Sequence, residues 1–214
     1  MPTHKQIYDS PRQAARRASI LAATRELISK RGYEGTTVRD VAELAGVAKG
    51  TLYNIYGGKD ELIFSAVVDI RDDIRQRTID LAPRPGLDSI LKSDRAILEE
   101  ILRTPTYAEA ISRALFGAPA AKMLVPSLVG SPIELTRKEL ESAKLLGEIE
   151  DDVECELMAR QLVMQRWGLI MAFSLNLLSV DQIQREVTHA MVRILQSIAR
   201  PDARAMLDQV LRDS

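Results

Sequence analysis

Apolar residues recur at intervals of three and four along almost the whole chain, which is the spacing that favours an α-helix. The helical stretches are separated by glycine or proline, most clearly at Gly32, at Gly57-Gly58 and at Pro83-Arg84-Pro85-Gly86. No stretch alternates apolar and polar residues for long enough to indicate a strand. The sequence therefore predicts an all-α fold.

Capping and stop residues set the expected helix boundaries. Ser10 followed by Pro11 is typical of a helix start, and Asp181 is the expected cap of a helix late in the chain. Residues 120–132 contain two prolines and a glycine, so their structure is the least defined. Helices are predicted over residues 12–31, 38–45, 49–55, 60–81, 87–102, 107–115, 133–146, 153–178, 182–199 and 201–212.

The charge of the chain is divided unevenly. The whole sequence has 29 basic and 30 acidic side chains, for a formal net charge of −1. Residues 1–59 contain ten basic and five acidic side chains, so this part carries +5 and the remainder −6. A basic segment attached to an acidic one favours a local polyanion-binding surface, although a chance fluctuation among solvated faces gives the same count.

The sequence offers little material for catalysis or metal binding. A single cysteine and two histidines, His4 and His189, exclude an internal disulfide and leave little room for a zinc site or a Ser-His-Asp triad. The sequence has no phosphate-binding loop, nucleophile elbow or zinc-protease motif. We therefore expect a protein that is not an enzyme and that uses no cofactor and no metal.

The sequence also lacks the apolar runs that membranes and export require. Its first twenty residues carry charges throughout, unlike a signal peptide. No stretch approaches the roughly 18 uninterrupted apolar residues of a bilayer-spanning helix. We expect a cytoplasmic protein with no membrane partner.

Residues 38–55 have the pattern of a helix-turn-helix unit. Ala42 is small enough for the point where two short helices cross, and Gly46 tolerates the positive φ that the turn needs. A second helix held at such an angle can enter the major groove of DNA, whereas a helix-loop-helix that only fills a bundle is the alternative. The residues predicted to pack the unit together are Val41, Ala42, Gly46, Val47, Leu52 and Ile55.

Polar side chains in and around this unit are candidates for DNA contact. Lys49 matches a guanine edge or a phosphate, and Asn54 matches an adenine edge. Tyr53 and Lys59 are predicted phosphate contacts, although a packing role is the alternative for Tyr53. Thr37 can hold a phosphate at a helix N-terminus or act as an ordinary cap. The full set of predicted contacts is Thr37, Lys49, Thr51, Tyr53, Asn54 and Lys59.

A resemblance to the DNA-binding domain of TetR-family transcriptional regulators is carried by residues 36–62, which read TTVRDVAELAGVAKGTLYNIYGGKDEL. The Thr-Leu-Tyr stretch at residues 51–53, followed by Lys-Asp-Glu-Leu at residues 59–62, is highly specific to that family. The resemblance implies a helix-turn-helix DNA-binding domain over residues 10–60. It also implies a connecting helix over residues 60–81 and a ligand-binding and dimerisation domain over residues 87–214.

The resemblance implies three partners as well. They are a palindromic double-stranded DNA operator, a second copy of the chain in a homodimer, and a small-molecule effector, apolar or aromatic. Repression that the ligand relieves is the commoner arrangement in the family. A ligand-independent or activating regulator and a helical protein-binding adaptor are the alternatives.

The last two long helices carry apolar stripes that are candidates for the dimer interface. Two such helices from each subunit make a four-helix interface, which suits a two-fold dimer on two DNA half-sites. The alternative is that both stripes belong to the core of a single chain. The predicted interface residues are Leu169, Phe173, Leu177, Val187, Met191 and Ile194.

Aromatic residues make up only 4% of the chain, so their positions indicate where a ligand pocket lies. The single tryptophan, Trp167, has a methionine within about one turn on either side, and methionine and aromatic side chains make adaptable apolar linings. Arg113 and Arg166 are candidates for receiving an anionic group. Ordinary core or surface roles are the alternative for each residue. The predicted pocket residues are Tyr107, Arg113, Phe116, Met123, Met164, Trp167 and Met171.

Overall fold

The computed structural model describes residues 10–81, 84–117 and 121–213. Across these ranges the chain is helical, with one isolated β-bridge between Ile149 and Ala199 and no named strand, so the predicted all-α fold is confirmed. The helices are α1 (Pro11–Arg31), α2 (Val38–Leu44), α3 (Lys49–Tyr56), α4 (Lys59–Leu81), α5 (Leu87–Arg103), α6 (Pro105–Gly117), α7 (Ala121–Val125), α8 (Ser131–Leu145), α9 (Cys155–Ser174), α10 (Val180–Gln196) and α11 (Pro201–Arg212).

Helix α1 begins where its capping residues stand in the sequence. The Ser10 hydroxyl accepts a hydrogen bond from the Gln13 backbone N–H, and the Gln13 side chain accepts one from the Ser10 N–H. This reciprocal pair satisfies two backbone donors that a helix start leaves unpaired, and Pro11 has no N–H to satisfy. Gly32, at φ +73°, ends the helix.

Two later boundaries differ from the prediction. Ser179, not Asp181, caps α10, because it forms a reciprocal pair with Gln182 of the same kind as the pair at Ser10. Helix α9 ends at Ser174 rather than at residue 178, just before Asn176, whose φ of +58° departs from the helix. The stretch with two prolines and a glycine after residue 120 contains α7 and a π-helical turn over Pro126–Gly130.

The first four helices share a closed apolar core, which we call the head core. Thr24, fully buried beside it, donates its hydroxyl to the Ile20 carbonyl at 2.8 Å, so this polar group is satisfied. The buried members of the head core are Ile20, Leu21, Ala23, Leu27, Val38, Val41, Ala42, Leu52, Leu62 and Ala66.

A tight turn sets the angle between α2 and α3. Gly46 adopts φ +66°, a left-handed conformation in which a Cβ atom strains the backbone. The Val47 N–H donates to the Ala42 carbonyl at 2.9 Å and closes the turn. The short helix α3 is therefore fixed on the head core instead of continuing α2.

A second cluster, which we call the bridging cluster, joins α1 and α4 to α6. Ile28 of α1 is fully buried in it and directly follows Leu27, the last residue that α1 contributes to the head core. The Arg25 guanidinium also pairs with the Asp69 carboxylate of α4 at 2.7 Å. The buried members of the bridging cluster are Ile28, Ile63, Val67, Tyr107, Ala110, Ile111 and Leu124.

Five of the remaining helices pack around a larger core, and a buried ion pair joins two of them. Helices α5, α8, α9, α10 and α11 contribute its apolar members. The Arg166 guanidinium of α9 donates to the Asp94 carboxylate of α5 at 2.9 Å, and the two side chains are only 8% and 5% exposed. Burial raises the pKa of the Asp94 carboxyl, and the charge of Arg166 opposes that rise.

Within the described ranges, no helix has both the length and the apolar character that crossing a bilayer requires.

Removing one partner of the buried ion pair tests its contribution to stability. Asp94→Ala leaves the Arg166 charge buried without its counterion, so we expect the free energy of unfolding to fall by about 3–5 kcal/mol. The double variant Asp94→Leu/Arg166→Met replaces both charges with apolar groups and is expected to lose less than about 1 kcal/mol. Urea denaturation followed by circular dichroism measures both values, and equal losses in the two variants would contradict the expectation.

The turn at Gly46 gives a prediction with a matched control. A Cβ atom at Gly46 meets nothing within 4 Å, so the cost of Gly46→Ala comes from the positive φ alone, about 1 kcal/mol. Gly50 also has open space around it but lies inside α3, where alanine is preferred, so Gly50→Ala is expected to keep or raise stability. We expect thermal unfolding to show a lower midpoint for Gly46→Ala and an equal or higher midpoint for Gly50→Ala. A Gly46→Ala protein as stable as the unmodified one would contradict the backbone argument.

Candidate functional site

Helix α3 presents a polar face to solvent while its other face is anchored in the head core. Leu52 is 1% exposed, whereas Lys49, Tyr53 and Asn54 are exposed. The Lys49 ammonium lies 5.5 Å from the centroid of the Tyr53 ring, which places the cation over the aromatic face. Three of the predicted DNA-contacting side chains therefore share one rigidly held surface.

Thr51 links this surface to α1. It is half-buried, and its hydroxyl accepts a hydrogen bond from the Arg16 guanidinium at 3.1 Å. Arg16 is an exposed residue of α1, and sequence reasoning did not select it. Arg16 lies in the first turns of α1, whose exposed side is basic, and this is the feature of the sequence that could have indicated it. The fold adds a guanidinium to the edge of the α3 surface.

Thr37 acts as the N-cap of α2. Its hydroxyl accepts from the Asp40 backbone N–H at 3.2 Å and donates to the Asp40 carboxylate at 2.7 Å. The hydrogen bond from Thr37 is the main cause that lowers the pKa of Asp40, and Arg31 adds to it. The hydroxyl that was a candidate for a phosphate is thus engaged in the cap, beside a carboxylate.

Lys59 is held at the junction between the head helices. Its ammonium donates to the Glu34 carbonyl at 3.1 Å and lies 5.0 Å from the centroid of the Tyr33 ring. The Tyr33 hydroxyl donates to the Asp60 carboxylate at 2.6 Å, and burial followed by this hydrogen bond raises the pKa of Tyr33. These contacts fasten the start of α4 to the connection between α1 and α2.

One predicted packing residue of the helix-turn-helix unit is wrong. Ile55 is 45% exposed, because Tyr56, one turn after Leu52, packs against the head core near the end of α3. The other predicted residues lie where the unit closes: Val41, Ala42 and Leu52 are buried, Val47 is half-buried, and Gly46 forms the turn.

A largely apolar cavity of about 200 Å³ lies between α4, α5, α6, α8, α9 and the π-helical turn. Three polar side chains of its wall are paired: the Trp167 indole N–H donates to the Leu128 carbonyl at 2.9 Å, Arg166 binds Asp94, and Glu100 accepts from Arg103. Apolar residues of the wall include Val67, Ile97, Ile101, Ile111, Leu135 and Ile170.

The predicted pocket residues fall into three groups. Tyr107 and Trp167 line the cavity. The prediction is wrong for Met164 and Met171, which are 49% and 38% exposed and absent from the wall, because α9 directs its residues 166, 167 and 170 inward instead. The side chains of the remaining three lie outside the part of the structure that is described; they are Arg113, Phe116 and Met123.

The predicted interface residues are also divided by burial. Val187 and Met191 are each 2% exposed inside the protomer, because α10 packs them against α5 and α9, so the prediction of an interface role is wrong for them. Leu169, Phe173 and Ile194 are half-buried against the same clusters. Leu177 is 70% exposed.

A different apolar stripe, on α9 and on the residue that follows its end, faces solvent. Its members recur at intervals of seven and four residues, so they share one face of the helix. Gly168 is exposed on the same face and leaves open space around its Cα. We call this set the α9 stripe: Leu157 at 47% exposure, Met164 at 49%, Met171 at 38% and Leu175 at 54%.

Metal ligands are not grouped anywhere in the described ranges: no three His, Cys, Asp or Glu side chains are placed to hold one ion. The cationic and amide-bearing surface on α3 and the apolar cavity are both suited to binding other molecules.

The proteins that this chain is similar to include transcriptional repressors. The transcriptional repressor KstR of Rhodococcus jostii (strain RHA1) is 36% identical over 118 residues, which is 55% of this chain and 56% of KstR, so the match spans about half of that relative. KstR2 of the same organism, also a transcriptional repressor, is 28% identical over 171 residues, covering 74% of this chain and 80% of KstR2.

The fold has a close counterpart among solved structures. The TetR-family protein CprB from S. coelicolor A3(2) superposes with a TM-score of 0.69 at 21% identity, covering 93% of this chain and 97% of CprB. Residues 20–66, which span the head core and both helices of the helix-turn-helix unit, match the model of the bacterial regulatory proteins of the tetR family. Residues 20–66 are therefore similar to the bacterial regulatory proteins of the tetR family, and the fold of the chain is similar to that of CprB over most of its length.

Proposed function

We propose that this protein is a dimeric transcriptional repressor that binds a palindromic operator and leaves it when a small apolar ligand enters the cavity. The observation that carries the proposal is the polar surface of α3, held at a fixed angle by Gly46 and anchored by Leu52. The relatives named as repressors support the same function. In this proposal residues 10–60 form the DNA-binding domain, and residues 87–214 bind the ligand and dimerise.

Each exposed polar residue of α3 has a role in the proposed complex. Lys49 and Asn54 contact base edges in the major groove, since an ammonium suits guanine and an amide suits adenine. Tyr53 binds a phosphate and Thr51, with Arg16 beside it, binds another, which fixes the register of the helix. Lys59 contributes by holding the start of α4, through its contacts with Glu34 and Tyr33.

The α9 stripe is the proposed dimer interface. A row of exposed apolar residues on one helix face favours association, and a two-fold axis lets the same stripe serve both subunits. Gly168 within the stripe allows the two helix backbones to approach closely. Two DNA-binding heads joined in this way match the two half-sites of a palindrome.

Ligand release follows from the contacts between cavity and head. Tyr107 belongs both to the cavity wall and to the bridging cluster, where Ile28 of α1 is buried. A ligand that prefers one spacing of α4 and α6 therefore also favours one position of α1. The ligand shifts the population of dimers only by its difference in affinity between the DNA-bound and released forms.

DNA binding is tested by selecting bound sequences from a pool of randomised duplexes. We expect a palindrome whose half-sites lie about one helical turn, or a multiple of it, apart. Asn54→Ala is expected to lose about 1–3 kcal/mol of preference at one base pair in each half-site, since it removes a base contact. An equal loss of affinity for every sequence would contradict the base-reading role.

Salt dependence gives a second test on the selected duplex. Arg16→Ala is expected to reduce the slope of log affinity against log salt by about 1 for each subunit, because its guanidinium lies beside the proposed phosphate contact at Thr51. Lys138→Ala is the matched control, because Lys138 is exposed on α8, away from α3. A salt-independent affinity in the unmodified protein would exclude the proposed DNA contact.

Charge on the α9 stripe tests the dimer. Met164→Glu places a carboxylate in each copy of the proposed interface, so we expect sedimentation to report monomers where the unmodified protein gives dimers. Leu44→Glu is the control, since Leu44 has a similar exposure of 47% but lies on α2. A Met164→Glu protein that stays dimeric would place the interface elsewhere.

A further inference from the structure

Two hydroxyl groups of the cavity wall have no hydrogen-bond partner among the described residues. They belong to Tyr107 and Ser112, both on α6, which are 7% and 2% exposed. A buried polar group is normally paired, because leaving it unpaired costs the full free energy of removing it from water. Unpaired hydroxyls at a cavity wall are therefore groups that a bound molecule can satisfy.

Other helical hydroxyls in this chain show that a local partner is easily made. Thr24, Thr104 and Ser174 each donate to the backbone carbonyl four residues earlier, at 2.8, 3.0 and 2.9 Å. Ser112, in the middle of α6, does not make the equivalent bond. Its hydroxyl, like that of Tyr107, therefore keeps an unused hydrogen-bond donor on a residue that lines the cavity.

The surroundings of these hydroxyls decide the chemical class of the ligand. Burial raises the pKa of the Tyr107 hydroxyl, so it stays protonated and acts as a donor. The Arg166 guanidinium is already bound to Asp94, and the Glu100 carboxylate on the wall repels anions. The remaining wall is largely apolar, so the cavity disfavours a charged group and favours a carbon skeleton with an acceptor oxygen.

We infer that the cavity selects an uncharged, largely apolar molecule that bears a carbonyl oxygen, and that Tyr107 and Ser112 are the residues that recognise this oxygen by donating hydrogen bonds. The inference rests on the proposed ligand-binding function and deepens it, because it names the ligand class and the two specificity-determining side chains.

The experiment compares two probes that differ at one position, benzophenone and diphenylmethane. The first has a ketone carbonyl between its two rings and the second has a methylene group there. Trp167 is the only tryptophan of the chain and lies in the cavity wall, so a change in its fluorescence reports binding. We expect the full-length protein to bind the ketone about tenfold more tightly than the hydrocarbon.

Variants assign that preference to the two hydroxyls. Tyr107→Phe/Ser112→Ala is expected to bind both probes equally, with the affinity for diphenylmethane not reduced. Thr104→Val is the matched control, because the Thr104 hydroxyl also belongs to a wall residue but is already bonded to the Glu100 carbonyl. It should keep the tenfold preference. A preference that survives in the double variant overturns the inference, as does equal binding or no binding by the unmodified protein.

The stability of the protein without ligand provides a second, independent test. Tyr107→Phe removes an unpaired buried hydroxyl, so its urea midpoint should equal or exceed that of the unmodified protein. A lower midpoint would mean that the hydroxyl has a structural partner and would overturn the inference. DNA binding is measured on the same proteins. An unmodified protein that binds no specific duplex counts against the repressor function. An unmodified protein that binds its duplex but does not prefer the ketone counts only against this inference.

Discussion

The packing of α1 into two apolar clusters is the constraint on which the rest of the molecule depends. Its residues from Ile20 to Leu27 close the head core, and Ile28 enters the bridging cluster with α4 and α6. The Arg25–Asp69 ion pair reinforces the contact with α4. Because close-packed interiors do not deform gradually, a shift of α6 must be accommodated by α1 or α4. The head and the cavity therefore share structural elements.

This arrangement gives the proposed repressor a short route between ligand and DNA. Tyr107 touches the cavity on one side and lies in the bridging cluster with Ile28 on the other. The charges of Arg25 and Asp69, which pair α1 with α4, also act on the pKa of its hydroxyl. A ligand that satisfies this hydroxyl acts at the point where three helices meet. No longer chain of contacts is needed to connect the two proposed binding events.

Helix α9 explains why sequence periodicity assigned some residues to the wrong surface. It is apolar on nearly every side, since it faces α8 and α10, the cavity and the proposed partner subunit. Periodicity identifies such a helix but does not distinguish its faces, so it predicts Met164 and Met171 in the pocket with Trp167. On α10 the apolar stripe containing Val187 and Met191 was visible, but only the packing of α5 showed that the protomer itself buries it.

The sequence by itself determined the local structure of this protein. Caps, prolines and positive-φ glycines act over a few residues, so α1, the turn at Gly46 and the polar face of α3 could be predicted from their own segments. Contacts between distant segments needed the tertiary structure, because they depend on how whole helices meet. These contacts include the Asp94–Arg166 pair, the approach of Arg16 to Thr51 and the unpaired hydroxyls of Tyr107 and Ser112.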